Sequence, residues 1–235
     1  MITKLTKRIK TSSMTTLYLT NKNCSVCGES NRFPLVDLSQ KLTGIRDLDG
    51  RPSHIQRSLV YMWIQRCESC NYCAPDISAE CKVDPSYINS PEYKGIIDDV
   101  SFPLTAVAFR AHSFLMTSMG SFADSGWALL CAAWVCDDNG APANAIVCRK
   151  EALTHFRYAQ EKNQEFSQSH VEENLILIDI MRRIGDFDAA MELCDQELQT
   201  DHPDTIWLLL DYEKVLIGKN DTACHNESDM EEMGL

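Results

Sequence analysis

Hydrophobic positions follow two different periods along the chain. In the first 73 residues they come in short, strand-like runs. Thr15–Thr20 is β-branched and aromatic and predicts a strand, and Arg32–Leu38 predicts its return, with Phe33, Leu35 and Leu38 as core candidates. Leu59–Ile64 is the most apolar of these runs and predicts a third strand. Ala74–Val100 changes character: Pro75, Pro85 and Pro91, set among Asp, Ser and Asn, predict a linker or a clamp over the first module. Beyond it the period becomes helical. Leu104, Val107, Ala108, Ala111, Phe114, Leu115 and Met119 fall on one face of a helix over Pro103–Met119, with Ser101 as its cap and Gly120 as its stop.

The helical part is repetitive. Gly140, Gly185 and Gly218 each end one helical pattern and open another. Each is followed five residues later by alanine (Ala145, Ala190, Ala223), a residue small enough for two helices to approach closely. Leu129, Asn174 and Trp207 stand eleven residues before the glycines. The last two glycines are 33 residues apart, close to the ~34-residue tetratricopeptide period, and Asn174–Cys194 resembles one such repeat. The alternative is an ordinary bundle of helical hairpins. Either way the fold class is α+β, mostly α: a small β module packed on a tetratricopeptide-like array of helical hairpins.

Four cysteines organise the front of the chain. Cys24 and Cys27, and Cys67 and Cys70, form two Cys-x-x-Cys pairs separated by Glu29–Arg66. Such spacing lets consecutive amides turn around one metal ion. Gly28 and Asn71, directly after each pair, are the residue types that best tolerate the positive φ of that turn. Two matching knuckles predict a zinc ribbon with Cys24, Cys27, Cys67 and Cys70 as ligands and zinc as cofactor. A closed four-thiolate site keeps no open coordination position, so the metal is expected to be structural. Cys73 extends the run to Cys67-x-x-Cys70-x-x-Cys73 and invites an iron–sulfur reading, but that motif wants cysteine and proline where Ile77 and Ser78 stand. Cys73 and Cys81 are read as packing residues. The expected divisions are a flexible terminus over 1–14, the zinc-ribbon module over 15–80, a linker over 81–102, the helical domain over 103–225 and a frayed acidic tail over 226–235.

Cys24-x-x-Cys27-Gly, then Asp47-Leu-Asp-Gly-Arg-Pro52, then Trp63-Ile-Gln-Arg-Cys67-x-x-Cys70-x-Tyr72-Cys73-Ala-Pro-Asp76, followed by helical repeats, resembles a bacterial family known only as a domain of unknown function. The resemblance is densest over Cys24–Asp76. It implies a four-cysteine ribbon joined to a tetratricopeptide-like region and brings no activity. Glu68 and Asn71 stand where the family carries proline and glycine, which leaves the ligands intact.

Charge divides the chain as the periods do. Residues 1–73 hold 11 Lys/Arg against 5 Asp/Glu, and residues 74–235 hold 11 against 29, within a net charge of −12. An acidic helical half would favour a basic protein partner. With 44% hydrophobic residues there is ample core, yet no apolar run approaches the ~18 residues that span a membrane. Met1–Ser13 carries Lys4, Lys7, Arg8 and Lys10 without an apolar stretch, so no signal peptide is expected; Met14 is an alternative start. Eleven cysteines without such a segment predict a reducing, cytoplasmic setting.

Asp47, Asp49, Arg51 and His54 are the one polar constellation with acid–base potential. The plainer reading is a turn in which Arg51 pairs with a nearby aspartate and ties this excursion to the ribbon, with Asp49-Gly50 turning tightly and Pro52 holding Arg51 extended. Arg57, Tyr61, Trp63 and Arg66 mix basic and aromatic residues as nucleic-acid ribbons do, with Lys22 as a further cation, but Tyr61 and Trp63 on a strand read as core. His112, His155, His170, His202 and His225 carry no ligand spacing. The sequence therefore favours a non-enzymatic, metal-binding adaptor that uses a helical groove. A nucleic-acid-associated ribbon is the alternative, and an enzyme built on Asp47–His54 is the third reading.

Overall fold

The computed structural model describes residues 9–10, 16–36 and 44–233. The expected strand residues Thr15 and Leu38, and nearly all of the 1–14 terminus, lie outside that description. Strands β1 (Ile9–Lys10), β2 (Thr16–Asn23) and β3 (Ser30–Val36) form an antiparallel sheet in which Asn23 faces Ser30 and Leu17 faces Val36. The pair β4 (Gln65–Arg66) and β5 (Cys73–Ala74) forms a second, smaller hairpin. Each hairpin ends in one Cys-x-x-Cys knuckle. Among the described residues everything else regular is helical.

The strand expected over Leu59–Ile64 is a 3-10 turn at Val60–Met62, preceded by the short helix α1 (His54–Arg57). Register explains the difference. Gln65 pairs with Ala74, so Ile64 would have to face Pro75, which has no N–H to continue the ladder. Tyr61 and Trp63 consequently stand half-exposed instead of in the core.

Residues 81–102 fold as a clamp. Helices α2 (Pro85–Ile88) and α3 (Pro91–Ile97) each begin with proline in the first turn, and the Asp84 and Ser90 side chains cap them by accepting from the amides of Ser86 and Tyr93. Ile88, Tyr93 and Ile97 are buried and pack in the same apolar cluster as the ribbon's Cys67 and the long helices. Asp-Pro and Ser-Pro, read above as breakers, are helix starts here.

The array consists of α4 (Leu104–Ser118), α5 (Phe122–Asp138), α6 (Pro142–Glu161), α7 (His170–Arg183), α8 (Phe187–Glu197) and α9 (Asp204–Gly218), packed largely neighbour on neighbour. Val107, Ala108, Ala111 and Leu115 of α4 are buried as expected, whereas Leu104 and Met119 are exposed. Ser101 caps no helix; its amide and hydroxyl bond Asp99. Five of the long helices, α4 to α7 and α9, close in one way. A residue with positive φ follows the helix, and the next amide reaches back five residues, as from Ala141 to Cys136 and Asp186 to Met181. Gly140 and Gly185 supply that conformation, but Gly218 is still inside α9 and Asn220 (φ 52°) supplies it there.

Ala145 and Ala190 are buried at 1% and 0% exposure, as close helix crossings require. Ala223 is exposed, because it falls in the non-helical turn after α9 and not inside the second helix of a hairpin. The chain instead turns back so that Asn226 bridges Asp47, and only then forms α10 (Glu227–Met233) where a frayed tail was expected. No helix among the described residues is long and apolar enough to cross a membrane.

Candidate metal centre

The two knuckles are built alike. The amide of Cys24 bonds the carbonyl of Glu29, and Gly28 bonds back to Cys24; Cys67 bonds Tyr72, and Asn71 bonds back to Cys67. Gly28 (φ 78°) and Asn71 (φ 62°) hold the left-handed position that both loops need. Asn71 adds what glycine would lack: its Oδ1 accepts from Arg66 Nε and Nη2 at 3.0 and 2.8 Å.

The fold brings Cys24, Cys27, Cys67 and Cys70 together, with one ligand atom from each within 4.8 Å of all the others. Sγ of Cys24 lies 3.7 Å from that of Cys70, and Sγ of Cys27 3.6 Å from that of Cys67. A tetrahedron with ~2.3 Å metal–sulfur bonds has edges of ~3.8 Å, so these cross-knuckle distances suit a thiophilic ion and are far too long for disulfides. All eleven cysteines are free thiols. The donor set therefore fits a metal of the zinc type.

The electrostatics are uneven. At Cys67 the upward push of burial is outweighed by the amides of Cys70 and Ser69 and the Asn31 side chain, which bring its pKa down to about 7. Burial raises the Cys24 and Cys70 thiols instead, so a cation is what would make them thiolates. Asn31 is the supporting residue that sequence reasoning missed. Its Nδ2 lies 3.5 Å from Cys67 Sγ and 3.0 Å from the Glu29 carbonyl, while its Oδ1 accepts from the Glu68 amide at 2.9 Å. It stitches the first hairpin to the second knuckle.

Cys73 does not join the cluster. It is buried, with its amide on the Tyr93 hydroxyl (3.2 Å) and its carbonyl facing His112 Nδ1 (3.2 Å), and burial lifts its thiol to about 12. Cys81 points its thiol at the carbonyl of Val83. Both are packing residues.

The Asp47–His54 constellation sits elsewhere and does other work. Asp49 is fully buried; Oδ2 accepts from Trp134 Nε1 at 2.8 Å and Arg183 Nη1 at 3.0 Å, with Arg149 3.7 Å away. Burial alone would raise its pKa, but the Arg183 and Arg149 charges and the Trp134 bond hold it below the usual carboxylate value. Arg51 is buried against the Trp134 carbonyl and Asp138. Asp137 joins Arg149 and Arg183 at 2.6 and 2.9 Å. The expected pairing of Arg51 is thus corrected in its destination: the turn is tied to α5, α6 and α7, not to the ribbon. Asp47 meets Cys224 Sγ at 2.9 Å and stands 3.8 Å from Arg57. The side chain of His54 lies outside the described residues.

The cations of the nucleic-acid reading are individually engaged. Arg57 grips Asp138 (2.9 Å), Arg66 grips Asn71, and Lys22 pairs with Asp76 at 2.9 Å. A further polar cluster escaped sequence reasoning altogether. Ser113 of α4, Ser125 of α5 and His155 of α6 form a chain of bonds at 2.7 and 2.6 Å. It resembles a nucleophile and its base, but Ser125 is 0% exposed, so no acyl group can reach it. The chain locks three helices together. Three further histidines are also paired: His170 with Glu173, His202 with Glu197 and His225 with Asp221.

No family model matches the chain, no curated protein does, and no solved structure does. The chain carries a four-cysteine cluster able to hold a metal ion, mounted on a mostly helical body.

Proposed function

We propose that the chain is a non-enzymatic zinc-binding protein that works as a protein-interaction adaptor in a reducing, cytoplasmic setting. The observation that carries this reading is the convergence of Cys24, Cys27, Cys67 and Cys70 from two equivalent knuckles onto one point. Bound there, zinc would supply folding energy to a ribbon with few apolar residues of its own, and the four thiolates would close its coordination. The ribbon, over 15–80, acts as a rigid end piece. The helical part, over 103–225, offers the binding groove, since hairpin arrays use their extended surface in this way.

The enzyme reading loses its residues to structure, because Asp49 and Arg51 are buried in ion pairs that no substrate can enter. The nucleic-acid reading loses its cations to Asp138, Asn71 and Asp76. The charge of residues 74–235 favours a basic partner.

Elemental analysis of protein purified without chelator is expected to give one zinc per chain. Iron, or no metal, would overturn the assignment. Association with a basic partner should weaken steeply as salt rises, because exposed charges are screened over ~8–10 Å at ordinary ionic strength. Salt-independent association would speak against the adaptor role.

A further inference from the structure

A cavity of about 480 Å³ opens at the seam between ribbon and helices, within the size range of ligand sites. Trp63 and Ile64, on the approach to the second knuckle, line one part of it. His112 and Met116 of α4, with Asp124 and Trp127 of α5, line another. Among the described residues on the lining, Asp124 is the only formally charged one, and neither lysine nor arginine contributes.

Polar capacity in this cavity is weighted toward acceptors. His112 Nδ1 faces the Cys73 carbonyl at 3.2 Å. A carbonyl can only accept, so Nδ1 carries the proton in the neutral ring and Nε2 keeps a lone pair. Burial pushes the His112 pKa down more strongly than the Cys73 carbonyl and the Asp124 charge raise it, which keeps the ring neutral near pH 7. The Trp127 indole N–H is engaged by the Phe166 carbonyl at 2.9 Å, leaving its ring surface for the cavity. Trp63, 37% exposed, stands at the mouth. Two indole rings, a carboxylate and an imidazole acceptor are complementary to an organic cation: the rings attract positive charge over their faces, and the acceptors take its N–H groups.

We propose that this cavity receives a lysine or arginine side chain presented by a basic partner protein. The inference rests on the adaptor reading for the identity of the partner, and it places one anchor of that partner at the ribbon–helix seam. The 29 acidic residues beyond Cys73 would draw such a partner in, and the cavity would fix one of its cations.

The test uses the zinc-loaded full chain, followed by the indole N–H resonances of its four tryptophans. The probes are a nonapeptide alternating glycine with lysine, and the same peptide with norleucine in place of lysine. With the lysine peptide, the Trp63 and Trp127 resonances should move saturably while those of Trp134 and Trp207 stay; the norleucine peptide should move none. Asp124→Asn should weaken binding on the order of fivefold. Trp63→Ala should abolish the Trp127 shift; should that variant not fold, Asp124→Asn decides alone.

Equal binding by norleucine would make this an apolar-ligand cavity and overturn the proposal, as would an Asp124→Asn variant that binds unchanged. Shifts that depend on protein concentration without peptide would assign the cavity to a second copy of the chain, and overturn it too. Lysine-peptide shifts confined to Trp134 or Trp207 would sink this site and leave the adaptor reading standing. No shift at any indole would also overturn this site, while the salt dependence of association with a basic partner tests the adaptor reading separately.

Discussion

Asp49 shows how differently one residue reads alone and in place. In the sequence it belongs to an Asp-Gly turn, and it does turn there, with Gly50 at φ 80°. Its side chain, however, answers to Trp134 and Arg183, 85 and 134 residues away. No local pattern records such partners, which is why an acid–base role stayed open until burial closed it. Asp49→Asn keeps the shape and removes the charge that Arg183 and Arg149 require. It should cost about 3 kcal/mol in urea unfolding, as breaking a buried ion pair does. Because the folded pKa of Asp49 is depressed, its contribution is present above the ordinary value of 3.8 and fades as pH falls through the lower folded value.

Glu213 has the opposite sign. It is buried beside Asp179, and both carboxylates meet the single buried guanidinium of Arg182. Burial first, and the Asp179 charge second, raise its pKa well above 4.5, so one cation between two acids is balanced by keeping a proton on Glu213. A carboxyl with a raised folded pKa has its full relative stability below the unfolded value and loses it as pH climbs toward the folded one. Glu213→Gln mimics the protonated form. Urea midpoints of the two proteins should agree near pH 4 and separate as pH rises past 4.5 toward neutrality, the variant becoming the more stable. Parallel curves would mean that folding leaves the Glu213 pKa where it lies in the unfolded chain.

At the scale of elements, the periodicity of apolar positions was a sound guide to α4 through α9, since burial of one face is what that pattern encodes. Gly140 and Gly185 were legible for the same reason: a helix that must stop sharply wants positive φ. The failures have physical causes. Leu59–Ile64 carried strand propensity without a strand to pair with, since Pro75 ends the ladder. Pro85 and Pro91 were read as interruptions when their preceding Asp84 and Ser90 make them helix starts. Gly126 was overlooked because its role lies in another helix. A Cβ built there would come within 2.6 Å of Phe156 Cδ1 and Cε1. That ring cannot yield freely, being stacked on Phe166 at 4.3 Å between centroids and edge-on to Trp127 at 5.5 Å. Gly126→Ala should therefore destabilise by ~1–3 kcal/mol through overpacking, against the gain its helix propensity alone would give. A thermal melt unchanged or raised would show that Phe156 has room to move.

At the scale of the whole molecule, the convergence of Cys24, Cys27, Cys67 and Cys70 was the most legible part, because Cys-x-x-Cys spacing is a local code. Its attachment was not. The ribbon's long excursion ends in Asp49 and Arg51 under the helices, and the ribbon's own Cys24 and Cys67 share an apolar cluster with them. Cys67→Ser tests how far that attachment supports the ribbon. Amide exchange should rise across 16–36 and 65–74, while the far-ultraviolet signal of the helices persists. Collapse of the helical signal as well would make ribbon and array one cooperative unit.

The bridge between Asp47 and Asn226 has beside it the bond from the Cys224 thiol to Asp47, a contact across 177 residues. An open stack of hairpins can shed its last unit by itself and regain it just as simply, because each unit touches only its neighbours. A stack clasped across that separation behaves as a buckled strap: its final helix is held at both ends, and slack at one end is felt at the other. The chain entropy of closing so long a loop is paid in a single step, so the clasp should form late in folding, after the helices it joins are in place.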